Sequence, residues 1–180
     1  RILLRGALYV DGFNLYHAIN ELNQPHLKWL NLRKLGELIA RGHSRTIEKV
    51  VFGTAFFPGE HGKKTRHQAY VDALALVGVK TLLGHTTKEP MSCPPRGCGH
   101  LWDEPREKET DINIALAICE DAFDNVFDVG FLISADTDQA ATLKFVKRRF
   151  PEKKIIVVVP PGRPPSKHLR DLSAATLNLN

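Results

Sequence analysis

Ala7-Leu8-Tyr9-Val10-Asp11-Gly12-Phe13-Asn14 and Phe131-Leu132-Ile133-Ser134-Ala135-Asp136-Thr137-Asp138 share one plan: an apolar run, a carboxylate where the run stops, and a polar turn. Similar apolar runs, enriched in β-branched and aromatic residues, occur at Val50–Phe57, Val79–Leu83 and Ile155–Val159. Helix-spaced apolar residues lie between the runs. Leu15, Ile19 and Leu22 form one such set, and Leu32, Leu35 and Ile39 another. Tyr70, Leu74 and Val77 follow, then Ile112, Ala115, Leu116 and Cys119, and a helix from Ala140 to Val146 with a basic tail. Short strands alternating with helices indicate βαβ units, which right-handed crossovers close into a doubly wound parallel sheet. The expected class is α/β, with helices on both faces of a central sheet.

The chain has 180 residues, one domain's worth, and 25 Lys+Arg against 20 Asp+Glu give a net charge of +5. That balance alone is weak evidence for a nucleic-acid partner. The longest aliphatic run, Ile155–Val159, is far short of the ~20 residues that span a bilayer. No secretory leader pattern opens the chain, so the expectation is a soluble, cytoplasmic domain with no membrane partner. Three cysteines are too few for a disulfide scaffold. P-loop, nucleophile-elbow and dinucleotide glycine signatures are absent, so no nucleotide cofactor is expected.

The carboxylates carry the chemistry. In open α/β sheets, ligands bind beyond the carboxyl ends of strands where strand order reverses. Asp11 and Asp136 end strands, and Asp111 opens the helix beginning at Ile112. Asp138 and Asn14 stand in the turns just after the strand-end acids. These hard oxygen donors suit Mg²⁺ or Mn²⁺. Each could instead be an ordinary helix cap, but independent caps need not share a sheet edge. A cation among them would activate water for phosphoryl displacement. The Asp136-Thr137-Asp138 pair also resembles a glycosyltransferase metal element, which leaves Asp11 and Asp111 unexplained.

Tyr9-Val10-Asp11-Gly12-Phe13-Asn14-Leu15-Tyr16 resembles the opening motif of NYN-domain proteins, a branch of the PIN-like ribonuclease superfamily. Lys108-Glu109-Thr110-Asp111-Ile112-Asn113-Ile114-Ala115 resembles their second motif, and Leu132 to Asp138 their third. The tail from Pro160 to Leu172 resembles their final strand and helix, although Asp171 falls early for the usual late Asp. The resemblance implies a PIN-like three-layer α/β/α sandwich with a central, mainly parallel sheet, filling residues 1–180 as a single domain. It also implies a metal-dependent endoribonuclease acting on RNA; the alternative is a catalytically weak PIN-like module that binds RNA or protein. Asp11 and Asp136 would be direct ligands of Mg²⁺ or Mn²⁺. Asp111 would be a ligand or the orienter of water, and Asp138 and Asn14 outer or second-metal groups. Many PIN-like domains dimerise, so a homodimer is within expectation.

Two basic groups follow strand ends and could track phosphates beside the metal: Lys63, Lys64 and Arg66, and then Arg163, Lys167 and Arg170. The stretch from Arg148 to Lys154 leads into a strand and reads as a solvated face. Tyr16 and Phe13 are candidate base-stacking rings, with local burial the competing role for Phe13. Residues 84–107 break the alternation and read as an inserted Cys/His loop. It offers His85, Cys93, Cys98 and His100 for a structural Zn²⁺, with two free thiols or a labile disulfide as the alternatives. Cys119 reads as a buried small hydrophobe.

Overall fold

The computed structural model describes residues 4–57, 61–94 and 97–179. The outermost ends of the expected domain and residues 95 and 96 of the insertion lie outside these. The elements in chain order are β1 (Arg5–Asp11), α1 (Gly12–Glu21), α2 (Leu32–Ile39), β2 (Thr46–Thr54), α3 (His61–Leu76), β3 (Val79–Leu83), β4 (His85–Ser92) and β5 (Leu101–Lys108). Then come α4 (Thr110–Phe123), β6 (Val129–Ile133), α5 (Ala140–Arg149), β7 (Lys154–Val159), α6 (Lys167–Leu172) and β8 (Ala175–Asn178). Six strands form one parallel sheet in the order β3-β2-β1-β6-β7-β8. Strand order therefore runs outward in both directions from the β1/β6 pair, and the crevice above that pair is the switch point of the fold.

The sheet forms because its strands can be buried on both faces. Phe131, Leu132, Ile133 and Ile155–Val159 are all buried. One face carries α4, α5 and α6 over Tyr9, Leu132 and Val157. The other carries α1, α2 and α3 over Leu8, Val10 and Phe131. This is the three-layer α/β/α sandwich expected from the alternation. Gly12 begins α1 where a Cβ would overlap the Gly53 carbonyl and lie 2.7 Å from Phe52 Cε2, so only glycine lets α1 start so close to β2. Among the described residues, no helix is long and apolar enough to cross a membrane.

Four details differ from the sequence reading. The insertion is not an irregular loop but an antiparallel ribbon, β4 with β5, in register from His85 opposite Lys108 to Ser92 opposite Leu101. Pro90 and Pro105 fit there because a two-stranded ribbon has outward-facing edges that need no donor. A sixth strand, β8, closes the far edge of the sheet beside β7. The core face of α4 is Ile114, Ala117, Ile118, Asp121 and Ala122, whereas Ile112 and Leu116 are 56% and 55% exposed. Cys119 on that helix is accordingly only partly buried. The face rotates because buried Asp121 accepts from Tyr9 Oη at 2.7 Å and Lys49 Nζ at 2.6 Å, a polar anchor that apolar periodicity does not reveal. Finally, Lys153 is not solvated. It is buried, and its ammonium donates to Phe127 O and Asn125 Oδ1, both at 2.8 Å.

Candidate metal centre

Asp11 ends β1 and caps α1, its Oδ1 accepting the Asn14 backbone N–H at 3.0 Å. Its Oδ2 accepts from Asn14 Nδ2 at 2.7 Å and Ser134 Oγ at 3.1 Å. The carboxyl is 4% exposed. Burial pushes its pKa above the ordinary aspartate value; the hydrogen bonds oppose this and the charge of Asp136 adds to it. Asn14 turns its Oδ1 to the Ala135 N–H at 3.2 Å, so α1 is tied to the loop that follows β6.

That loop is wound tightly. The Asp136 N–H donates to Ser134 Oγ at 3.1 Å, and Asp136 Oδ1 caps a 3-10 turn, Thr137–Gln139, by accepting the Asp138 N–H at 3.0 Å. Gln139 is buried and bridges two helices: Nε2 donates to Asp111 O at 3.0 Å, while Oε1 accepts from Thr142 Oγ1 at 3.0 Å. Asp111 in the first turn of α4 is thereby held beside the β6 loop. At the start of α4, Glu107 Oε1 accepts the Thr110 N–H at 2.8 Å, and Glu109 adopts a left-handed φ of 75°. A left-handed glutamate is uncommon and marks a locally constrained turn.

The outcome is a trio. Asp111, Asp136 and Asp138 each present a carboxylate oxygen, all within 4.8 Å of one another. Asp111 and Asp136 of this trio line a groove of about 380 Å³ with Asp11, Phe13 and Asn14, and with Glu107, Lys108 and Glu109 at the foot of the ribbon. Three oxygen donors so close repel one another unless a cation lies among them, and hard oxygen ligands fit Mg²⁺ or Mn²⁺. All five expected residues, Asp11, Asn14, Asp111, Asp136 and Asp138, thus fall in one neighbourhood, with Asp138 in the trio and Asp11 beside it.

The other expected sites are distributed differently. Lys63, Lys64 and Arg66 lie exposed on α3, and Lys167 and Arg170 lie exposed on α6. Arg163 donates to Glu21 Oε1 at 2.7 Å. None of these six lines the groove; the cation that does is Lys108, whose Nζ sits 2.8 Å from Glu89 Oε1. Cys93 and Cys98 meet at the ribbon tip with sulfurs 3.3 Å apart. The Cys98 thiol is held below its usual range, first by the Cys93 hydrogen bond and then by the His100 backbone. His100 stacks on Trp102 at 5.8 Å between centroids. His85 does not join them. It stands at the foot of the eight-residue strand, about 23 Å away at ordinary strand rise, with Nδ1 3.2 Å from Glu109 Oε2.

Sequence reasoning missed Ser134, Gln139 and the acids at the ribbon foot. The visible signal for Ser134 was a hydroxyl at the end of an apolar strand one residue before Ala135-Asp136. Gln139 offered none, since its role is a contact with a carbonyl 28 residues away.

A family model described as the NYN domain matches residues 5–176. A curated relative, 6-hydroxy-3-succinoylpyridine 3-monooxygenase HspA of Pseudomonas putida (strain DSM 28022 / S16), is 25% identical over 190 residues. The match takes in 87% of this chain, which spans about 60% of that relative's length. A crystal structure titled as a protein of unknown function, VPA0982 from Vibrio parahaemolyticus RIMD 2210633, is similar with a TM-score of 0.64 at 18% identity. That likeness covers 99% of this chain and 94% of the other.

Proposed function

Because the chain belongs to the NYN-domain family, within the PIN-like nuclease superfamily, we propose that it is an endoribonuclease hydrolysing RNA phosphodiester bonds with Mg²⁺ or Mn²⁺. The observation carrying this reading is the convergence of Asp111, Asp136 and Asp138 at the switch point of the sheet. These three side chains would hold the ion. When bound, it supplies activation of water and neutralises charge at the scissile phosphate. The chain's own groups do the positioning. Ser134 and Asn14 fix the Asp11 carboxylate, and Gln139 fixes the backbone of Asp111. Lys108, at the groove, is placed to meet a phosphate oxygen once released from Glu89.

The second reading, a catalytically weak PIN-like module that binds RNA or a protein, draws on Asp11. Both of its oxygens are already engaged by Asn14 and Ser134. The relative named a monooxygenase is 25% identical and longer than this chain, whereas the trio of hard carboxylate donors serves phosphoryl chemistry directly. The homodimer expectation finds no support in the fold. The test is cleavage of single-stranded RNA with Mn²⁺, with Mg²⁺ and with chelator, for the wild type and for Asp136→Asn. Metal-dependent cleavage lost in the variant supports the nuclease. RNA binding without cleavage supports the module.

A further inference from the structure

A string of aromatic rings leaves the acidic groove along α1. Phe13 lines the groove and packs edge-on against Phe57, 5.2 Å between centroids. Its ring lies 6.3 Å from that of His17 at an interplanar angle of 33°. His17 lies 5.7 Å from Tyr16, and the Lys28 ammonium sits 5.1 Å from the Tyr16 centroid. Residues 13, 16 and 17 share one side of the helix by their i, i+3 and i+4 spacing. The core side is a different set: Gly12, Leu15, Ala18 and Ile19. Tyr16 is 45% exposed and His17 is exposed, so neither ring is needed to fill the interior.

We propose that this string is a stacking platform for unpaired bases, which makes the substrate a single-stranded RNA running from the acid trio along α1. The proposal rests on the nuclease reading for the position of the scissile phosphate. Sequence-tolerant binding of single strands combines base–aromatic stacking with nearby cations for the backbone. Here the rings begin inside the groove and end under a lysine, so stacking surface and positive charge are continuous with the metal centre. The ribbon's exposed stack, His100 on Trp102, lies toward its tip, about 20 Å of strand from the foot that borders the groove. The ribbon's Lys108 and Arg106 are already paired with Glu89 and Glu104. An A-form duplex keeps its bases stacked inside the helix and could not use the rings.

The test is binding of an eight-nucleotide 2′-O-methyl RNA, resistant to cleavage, read by fluorescence anisotropy. A matching strand carries abasic residues, and the proteins are wild type, Tyr16→Ala/His17→Ala and Tyr16→Phe. Wild type should bind the intact strand about tenfold more tightly than the abasic one for each stacked base removed. The double variant should lose this discrimination, and Tyr16→Phe, which keeps the ring, should retain it. An equal abasic penalty in wild type and double variant overturns the proposal, as does no binding, or tighter binding to a duplex of the same sequence. The nuclease reading is judged separately, by cleavage of unmodified RNA.

Discussion

Ser134 Oγ donates to Asp11 Oδ2 at 3.1 Å, joining the end of β1 to the loop that leaves β6. The same oxygen accepts the Asp136 N–H, so one hydroxyl orders two of the acids. Ser134→Ala would leave a buried carboxylate short of a donor and a backbone N–H without its acceptor. The expected cost is about 1–2 kcal/mol, measured by urea unfolding. Cleavage should fall at least tenfold. Wild-type stability in this variant would show that the hydroxyl does not organise the loop.

The acid trio holds like charges close together at a cost in stability. Unit charges 4–5 Å apart repel by about 1 kcal/mol even in water, and that repulsion goes unrelieved without a cation. Asp136→Asn keeps an oxygen for the Asp138 N–H while removing one charge. In chelator it should melt about 2–4 °C above wild type, and it should lose the stabilisation wild type gains from Mn²⁺. Asp138→Asn should behave alike. Thermal melts with and without Mn²⁺ decide; a lower melting temperature in chelator for both variants would contradict the repulsion.

Acid should loosen the seam between β1 and β6. Asp128 accepts from the Arg5 N–H at 2.7 Å, Nε at 3.2 Å and Nη2 at 3.1 Å. The Arg5 side chain, chiefly by hydrogen bonding, holds the Asp128 carboxyl below its ordinary value of 3.8. A native pKa below the unfolded one contributes stability that is fully present above about pH 4. It is lost as pH falls through the lower native value. The pair is partly exposed, so Asp128→Asn should cost only about 1 kcal/mol near neutral pH. The variant should also show a shallower loss of stability below pH 4. Parallel acid-unfolding curves for the two proteins would refute this.

The ribbon tip should not need metal. Among the described residues, Cys93 and Cys98 are the thiols that meet there, and a structural zinc site wants four ligands. Protein purified without chelator should carry well under one zinc per chain. Cys93→Ser/Cys98→Ser should melt within about 1 °C of wild type, because the tip lies outside the main sheet. Stoichiometric zinc by elemental analysis would reverse this expectation.

The central strands were legible because burial on both faces writes itself as runs such as Ile155–Val159. Asp11, Asp111 and Asp136 were legible because each follows an apolar strand run or opens a helix. What stayed hidden depends on partners distant in the chain. β8 is four residues long and includes Thr176 and Asn178, so only its pairing with β7 makes it a strand. The ribbon is rich in charged residues and carries one proline in each strand, and its order comes from cross-strand register. The rotation of α4 depends on Asp121 meeting Lys49, 72 residues earlier. The sequence placed Asp138 at the margin of the site, whereas the 3-10 turn capped by Asp136 brings it into the trio.

The placement of the acids at a reversal of strand order also governs when the site can exist. A chain emerging from the ribosome presents Asp11 first and Asp111 a hundred residues later. The third partner arrives only with Asp136 and Asp138, after β6 has slotted in against β1 on the side opposite β2. Until that insertion the acids sit on separate segments, with neither Ser134 nor Gln139 to draw them together. Domains fold as units during synthesis, so the acid cluster assembles late and all at once.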